Sequence, residues 1–484
     1  MSTAAKTIGS QRLKQRALSL GVAKSFDYAM QFLLPVVLAR CLDSVTFGEY
    51  RLVWLAVGTV MLLAPLNMPQ SLYYFLPRLD ARRRRLYINQ ALLFLGISGL
   101  IAAWAVSPWN PWLPEVIRPL ARYGALVPAF VALWVTAFIL DMLPAQEERV
   151  RWQAKSAIAL SLLRVAMLSL GAFYSGSLDV LLWLMLAHVL IKLGVLAVYI
   201  GHFHGFGRPV FEPETFAGHF RHAAPIGLSI ALFGMRGQAD QWIAAHLFAL
   251  SSFAAFSIAA MLGGVVNLFR GSVVEAFLPS MSRMQAAGDL RGMLEMNSRG
   301  NVMIGTLLFP LLAFTFVFAE DIVTVIYTAT YIEAAPVMRV HILGLAITVI
   351  EMGSMVLLLR QGAFALRLNV VTLVLSAAVS YQGALHFGLP GAAAGSVSML
   401  YLDRVIMLRR ISAQAGIPLR ELQHWRELAV AVFFAVVSAA FAWGVAQAYF
   451  AATMPLGRLA AGGIVLGLTY AAIPALIALR RKPA

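Results

Sequence analysis

Hydrophobic positions along the chain fall in long continuous runs, separated by short clusters of Gly, Pro, Arg and acidic residues. A run of about twenty apolar residues is the length at which an α-helix crosses a bilayer's hydrocarbon core. Reading each run between its polar breaks predicts helices over 18–40, 51–76, 86–106, 121–143, 155–175, 179–202, 223–247, 252–278, 300–319, 336–359, 365–384, 388–408, 428–449 and 457–479, about fourteen crossings in all. Helices are expected because a backbone in lipid must satisfy its own hydrogen bonds, and the runs lack the period-two alternation of membrane barrels. The fold class that follows is an all-α polytopic membrane protein.

Composition agrees: 60% of residues are hydrophobic and 12% charged, with a mean hydropathy of +0.78. The formal charge of +16 is concentrated in short breaks. An arm with Lys6, Arg12, Lys14 and Arg16, then RLDARRRR (78–85), EERVRWQAK (147–155), the stretch 404–427 and RRK (480–482) all fall on one side of an even number of crossings. The positive-inside rule makes that side cytoplasmic and places both termini there. Topology and anionic headgroups thus account for the charge, and a nucleic-acid partner is not expected. The first apolar run is too long for a signal-peptide core and is expected to stay as the first span. Trp109 and Trp112 in SPWNPWLPE (107–115) are placed for an interfacial belt on the outer side.

The chain shows a weak internal repeat. ARCLDSVTFGEYRLVWLAV (39–57) aligns with AHLFALSSFAAFSIAAMLG (245–263) at a separation of 206 residues, matching Phe47 to Phe253 and Tyr50 to Phe256. Parallel repeats of this kind build alternating-access transporters. The expected organisation is a basic arm (1–17), a first lobe of six spans (18–202), a linker (203–222), a second lobe of six spans (223–408), a second linker (409–427), two appended spans (428–479) and a tail (480–484). FEPETFAGHFRHAAP (211–225) reads either as a short helix on the membrane surface or as a solvated linker.

Charges inside the spans cost about 2.5–3.5 kcal/mol each on insertion scales, so each requires a reason. They include Lys24 and Asp27 in span one, Arg164 in span five, Lys192 in span six, Arg236 and Asp240 in span seven, Arg270 and Glu275 in span eight and Glu351 in span ten. Helical periodicity puts Lys24, Asp27 and Gln31 on one side and stacks Arg236 a turn from Asp240. Two readings stay open: self-neutralising pairs that fix packing, or a solvated cavity that binds an anion and couples to an ion. Gln238 and Gln241 lie away from Arg236 and suit interhelical bonding, and His188 and His341 read as packing partners. Over spans one, two, seven and eight, Lys24, Arg51, Arg236 and Arg270 outnumber Asp27, Asp240 and Glu275. An excess of that sign suits phosphate better than an organic cation.

Enzyme chemistry has little support. The chain has no GxxxxGK[ST], no HExxH and a single cysteine, Cys41. No catalytic residue, metal site or cofactor is therefore expected.

Five stretches, taken in order, resemble one family. They are LARCLDSVTFGEYRLVW (38–54), the region 222–262 with its early proline and deep aspartate, FLPSMSRMQAAGDLRGMLEMNSRG (277–300), FAEDIVTVIYTATYIEAAPVMRVHILG (318–344) and GLPGAAAGSVSMLYL (388–402). The chain resembles the lipid-linked oligosaccharide flippases of the multidrug/oligosaccharidyl-lipid/polysaccharide exporter superfamily over nearly its whole length. Asp240 matches the acidic residue of the family's seventh span, and Gly48 and Tyr50 match the turn after span one. Two departures are Leu42-Asp43, where Leu-Gly is usual, and Thr328-Ala329, where a glycine is common.

The resemblance implies two six-helix lobes in a pseudo-twofold, V-shaped arrangement plus two C-terminal helices. It implies movement of an undecaprenyl-diphosphate-linked glycan, an exopolysaccharide or O-antigen repeat unit, from the cytoplasmic to the periplasmic leaflet of a bacterial inner membrane by alternating access. Expected partners are that glycan, the bilayer, a coupling ion (H+ or Na+) and the polysaccharide polymerisation and export machinery. Arg236, Lys24, Arg270 and Arg51 are the expected substrate-binding residues. Asp240, Asp27 and Glu275 would couple an ion or balance charge. The alternatives are a cation-coupled multidrug exporter on the same architecture, or a membrane-embedded glycan polymerase or ligase.

Overall fold

A computed structural model describes residues 21, 25–205, 207 and 209–480. Regular structure among these residues is helical throughout, and nine helices or joined helical runs are long and apolar enough to cross a membrane. The chain is a multi-pass membrane protein. It divides into two compact units, Met1–Met235 and Arg236–Ala484.

The first unit contains α1 (25–41), α2 (Ser44–Leu63), α3 (Met68–Phe75), α4 (Ala81–Ala105), α5 (Leu126–Ala137), α6 (Leu143–Gln146), α7 (Val150–Ser175), α8 (Leu178–Phe203) and α9 (Pro213–Arg236), whose last residue begins the second unit. Asp43, a departure from the resembled pattern, is the N-cap of α2: its carboxylate accepts from the Val45 and Thr46 amides at 3.0 and 3.1 Å. Capping, not a flexible turn, starts this helix. The run expected over 51–76 is two helices, because Leu66 and Asn67 adopt positive φ and Pro69 opens the next helix. Gly227 of α9 packs on this break: a Cβ there would sit 2.3 Å from the Leu66 carbonyl carbon. The core of the unit gathers Leu72, Leu95, Val135, Leu140 and Tyr199.

Of the two expectations for 211–225 the helical one holds in part: a helix forms, though not a separate short one. Residues from Pro213 onward are the first turns of α9 itself. They are tied to α4 by Gln90, whose side-chain amide donates to the Glu212 carbonyl at 2.8 Å, and by a Phe94–Phe220 ring contact.

The second unit holds α10 (Ala239–Leu247), α11 (Leu250–Ala260), α12 (Leu262–Ala286), α13 (Leu290–Val317), α14 (Ala319–Ile326), α15 (Ala334–Ile347), α16 (Gly353–Leu358), α17 (Gly362–Ala415), α18 (Trp425–Tyr449) and α19 (Pro455–Arg480). The internal repeat has a structural counterpart. Ser44 and Leu250, which begin α2 and α11, stand at the repeat separation, and Phe47, Tyr50, Phe253 and Phe256 are all buried. One core cluster is rich in methionine, with Met281, Met293, Met352, Met355 and Met407 packed among leucines and isoleucines, where an unbranched side chain adapts to its neighbours.

The long helix α17 is a hairpin. Gly388, at φ 65° and ψ −147°, reverses it just before Pro390. Its two halves meet through small residues: a Cβ on Gly391 would lie 2.0 Å from the Gly383 carbonyl oxygen, and one on Gly395 would lie 2.4 Å from the Ser380 amide nitrogen. Small residues let membrane helices approach this closely. The expected separate runs 365–384 and 388–408 are the two arms. At the C-terminal end Arg458 of α19 pairs with Asp321 of α14 at 3.2 Å, and Ala442 and Ala446 of α18 pack on Phe318.

Candidate functional sites

The opening of α10 corrects the expected stacking of Arg236 over Asp240. Arg236 ends α9 and Ala239 starts α10, so no continuous helix joins the two charges. Gly237, a poor helix former, falls in the break. Arg236 instead reaches α17: its Nη1 donates to Asp403 Oδ1 at 3.0 Å and to Thr372 Oγ1 at 3.3 Å. Asp403 also accepts from Arg404 Nη1 at 2.8 Å through its other oxygen. These three side chains are only 7%, 10% and 12% exposed. The hairpin geometry of α17 is what places Thr372, on one arm, beside Asp403 on the other.

Arg270 and Glu351 lie within electrostatic reach of Arg404. Arg270 Nη1 donates to the Thr348 carbonyl at 3.3 Å, and the Glu351 carboxylate accepts from the Ser354 amide at 3.1 Å. The set is Arg236, Arg270 and Arg404 against Asp403 and Glu351, a cation excess in a buried place. Arg404 Nε is buried with no hydrogen-bond partner among the described residues. A desolvated guanidinium with unused donors favours an anion, because the protein has removed water from it without replacing every bond.

Asp240 belongs to a different local group. Ser396 Oγ donates to Asp240 Oδ2 at 2.6 Å and the Gln241 amide to Oδ1 at 2.8 Å. His341 is near this carboxylate and packs edge-on against Phe256.

A second polar site lies within the first unit, in a cavity of about 290 Å³. Asp27, Gln31, Asp141, Arg164, His188 and Lys192 contribute to its wall. Lys192 Nζ pairs with Asp141 Oδ2 at 2.7 Å and lies 4.8 Å from the Trp134 ring centroid. Gln31 donates to Asp27 Oδ2 at 2.6 Å, and Ser161 donates to Oδ1. His188 faces the Leu160 carbonyl at 3.1 Å, as a packing partner would. Arg164 and Lys192 therefore do face a polar interior, but here two cations meet two carboxylates, so this cavity has no excess of either sign.

The remaining expected site residues are dispersed. Arg51 is partly buried near Tyr50 in the first unit. Glu275 is exposed on α12, and Lys24 lies outside the described residues. Sequence reasoning missed Asp403, Arg404 and Thr372 in one unit and Asp141 and Ser161 in the other. From sequence Arg404 reads as one of the cytoplasmic cations of 404–427, because Arg409 and Arg410 follow it closely.

The chain matches a family model described as "Polysaccharide biosynthesis protein" over residues 13–285. Comparison with curated protein sequences gives no significant match. Among solved structures, "Lipid II flippase MurJ, inward closed conformation" is similar with a TM-score of 0.71 at 10% identity, covering 95% of this chain and 99% of that one. An outward-facing multidrug resistance MATE family transporter of the MOP superfamily gives 0.57 at 14% identity, covering 84% and 97%. A mutant of the Vibrio cholerae MATE transporter VcmN gives 0.55 at 11%, covering 85% and 99%. At such identities these likenesses show a shared fold.

Proposed function

The chain belongs to the polysaccharide biosynthesis protein family, and on that premise we propose that it flips an undecaprenyl-diphosphate-linked oligosaccharide, an exopolysaccharide or O-antigen repeat unit, between bilayer leaflets. The observation that carries the reading is the buried excess of guanidinium groups around Asp403. A diphosphate offers oxygens that bond guanidinium more strongly than neutral acceptors do. As it enters, it competes with Asp403 for Arg236 and Arg404, and the released carboxylate is free to take a proton or a metal cation. Exchange of partners around one anion gives the two states that alternating access requires.

Arg236, Arg404 and Arg270 hold the diphosphate in this scheme. Asp240, with Ser396 beside it, and Asp27, with Ser161 and Gln31, balance charge and offer sites for H+ or Na+. Glu275, exposed on α12, has the weaker claim to such a role. The setting is a bacterial inner membrane with both termini cytoplasmic, from the distribution of Lys and Arg. Polymerisation and export machinery would consume the flipped unit.

Vesicles containing the purified chain and labelled undecaprenyl-diphosphate glycan test this directly. Transbilayer movement should exceed that in empty vesicles, and Arg236→Ala should reduce it at least about ten-fold, the equivalent of one lost charge-assisted bond of about 1.5 kcal/mol. Movement equal to empty vesicles, with export of a cationic dye, would replace the flippase by a multidrug exporter. Equal movement by wild type and Arg236→Ala would remove the arginine cluster from the binding role.

A further inference from the structure

The RLDARRRR stretch has a feature that topology alone leaves unexplained. Arg82 to Arg85 occupy the first turns of α4, where the N-cap Asp80 accepts from the Arg83 amide at 2.8 Å and the first turn itself carries no acidic residue. Cations at a helix N-terminus oppose the helix dipole, and four against one capping carboxylate leave a positive excess that suits an external anion. Within the protein they receive little help: Arg84 Nε donates to the Leu79 carbonyl at 2.8 Å, while Arg85 Nε is buried with no partner among the described residues.

Next to Arg85 the first unit has an open groove of about 650 Å³. Leu93, Ile97 and Leu100 of α4, Leu133 of α5 and Ile200 of α8 line it. Leu93, Ile97 and Leu100 are 42%, 52% and 66% exposed, so the groove opens progressively along the helix. Gly205 and Gly207 line its other end, where a Cβ on either would lie 3.7 or 3.6 Å from a guanidinium nitrogen of Arg85. Asn89 fixes this end by donating to the Pro209 carbonyl at 2.9 Å. The groove thus has a cationic end and an apolar channel. From Arg85 to Leu100 the helix rises about 22 Å at roughly 1.5 Å per residue, close to half the roughly 40–45 Å thickness of a bilayer with its headgroups.

We propose that this groove is a binding site for an anionic phospholipid, with its phosphate against Arg85 and the first turn of α4 and one acyl chain lying along Leu93, Ile97 and Leu100. The bound lipid is a resident of the first unit. It is distinct from a transported substrate, and the site stands or falls independently of the flippase reading. Zwitterionic lipid fits less well because its ammonium group returns a positive charge to the same helix end.

The full chain, delipidated in mild detergent and then titrated with phosphatidylglycerol, phosphatidylcholine or undecaprenyl phosphate, can be read by native mass spectrometry. Phosphatidylglycerol should be retained at least about five-fold more than phosphatidylcholine, the ratio expected from about 1 kcal/mol for one basic side chain near the headgroups. Arg85→Gln should abolish that preference. Gly96→Leu should lower retention of every lipid, because Gly96 lines the groove and a Cβ there meets nothing within 4 Å, so the new side chain starts into open channel. Its thermal unfolding in lipid-free detergent should match wild type. Equal retention of the two phospholipids, or full retention by Gly96→Leu, overturns the site. Preferential retention of undecaprenyl phosphate overturns the phospholipid assignment and makes the groove a carrier-lipid site.

Discussion

Asp403 shows how far a single residue departs from what its neighbours in sequence lead one to expect. In MLYLDRVIM it stands beside an arginine near the end of an apolar run, where a charge ordinarily reaches a headgroup. In the structure its carboxylate is the shared partner of Arg236 and Arg404. Replacing one member of a buried ion cluster leaves the others uncompensated, at about 3–5 kcal/mol. Asp403→Asn should therefore lower the thermal unfolding temperature of the purified chain markedly, and Asp403→Asn combined with Arg404→Gln should recover part of the loss. A melting curve for Asp403→Asn that matches wild type would mean the cluster is solvated and contributes nothing to stability. The unusual charges at Lys192 and Arg236 were legible because they interrupt apolar runs. Their partners Asp141 and Asp403 were not, because both sit near run ends and lie 51 and 167 residues away in sequence.

At the scale of elements, most runs were read correctly as helices, yet several contain a break that apolar length cannot reveal. Proline and glycine mark some of these points, as in the Leu66-to-Pro69 break and at Gly388. The α17 hairpin depends on contacts between its arms. Gly391→Ala pushes a Cβ into the Gly383 carbonyl oxygen and should cost about 1–3 kcal/mol by overpacking, with faster hydrogen exchange in both arms. Gly444→Ala, where a Cβ meets nothing within 4 Å, is the control that should change little. A wild-type exchange pattern in Gly391→Ala would show that the arms separate without penalty.

The start of α18 should respond to pH. His424 contacts Glu295 of α13 at 2.9 Å and Glu427 at 3.4 Å, and its backbone amide donates to Ser298 Oγ at 2.7 Å. The Glu295 bond raises the His424 pKa above its ordinary 6.5. A raised histidine pKa means that the folded state holds the proton more tightly, so its contribution is complete below 6.5 and disappears as pH rises through the raised value. Amide exchange in the first turn of α18 should accelerate across that interval, beyond the intrinsic effect of pH, and Glu295→Gln should remove the extra acceleration. Because the histidine is partly exposed, the effect should be local to this turn. An identical pH response in Glu295→Gln would dismiss the contact.

For the whole molecule, the reconstitution experiment is the appropriate test, since the proposed movement of a lipid-linked glycan takes place across a bilayer. The sequence by itself determined the solvent of this protein, its helical class and the approximate positions of most of its helices. Hydrophobic length and positive charge are local properties, and the bilayer imposes the same rules on every segment. The order of its motifs also identified the family. Tertiary structure alone decided which charges meet. Arg164 and Lys192 line a balanced cavity in the first unit, Arg236 and Arg270 join an arginine-rich cluster in the second, and Arg236 and Asp240, four residues apart, take Asp403 and Ser396 as separate partners. Helical periodicity holds only while a helix is continuous. Once the chain breaks after Arg236 and α17 folds back at Gly388, the partners of each side chain are set by packing between segments far apart in sequence.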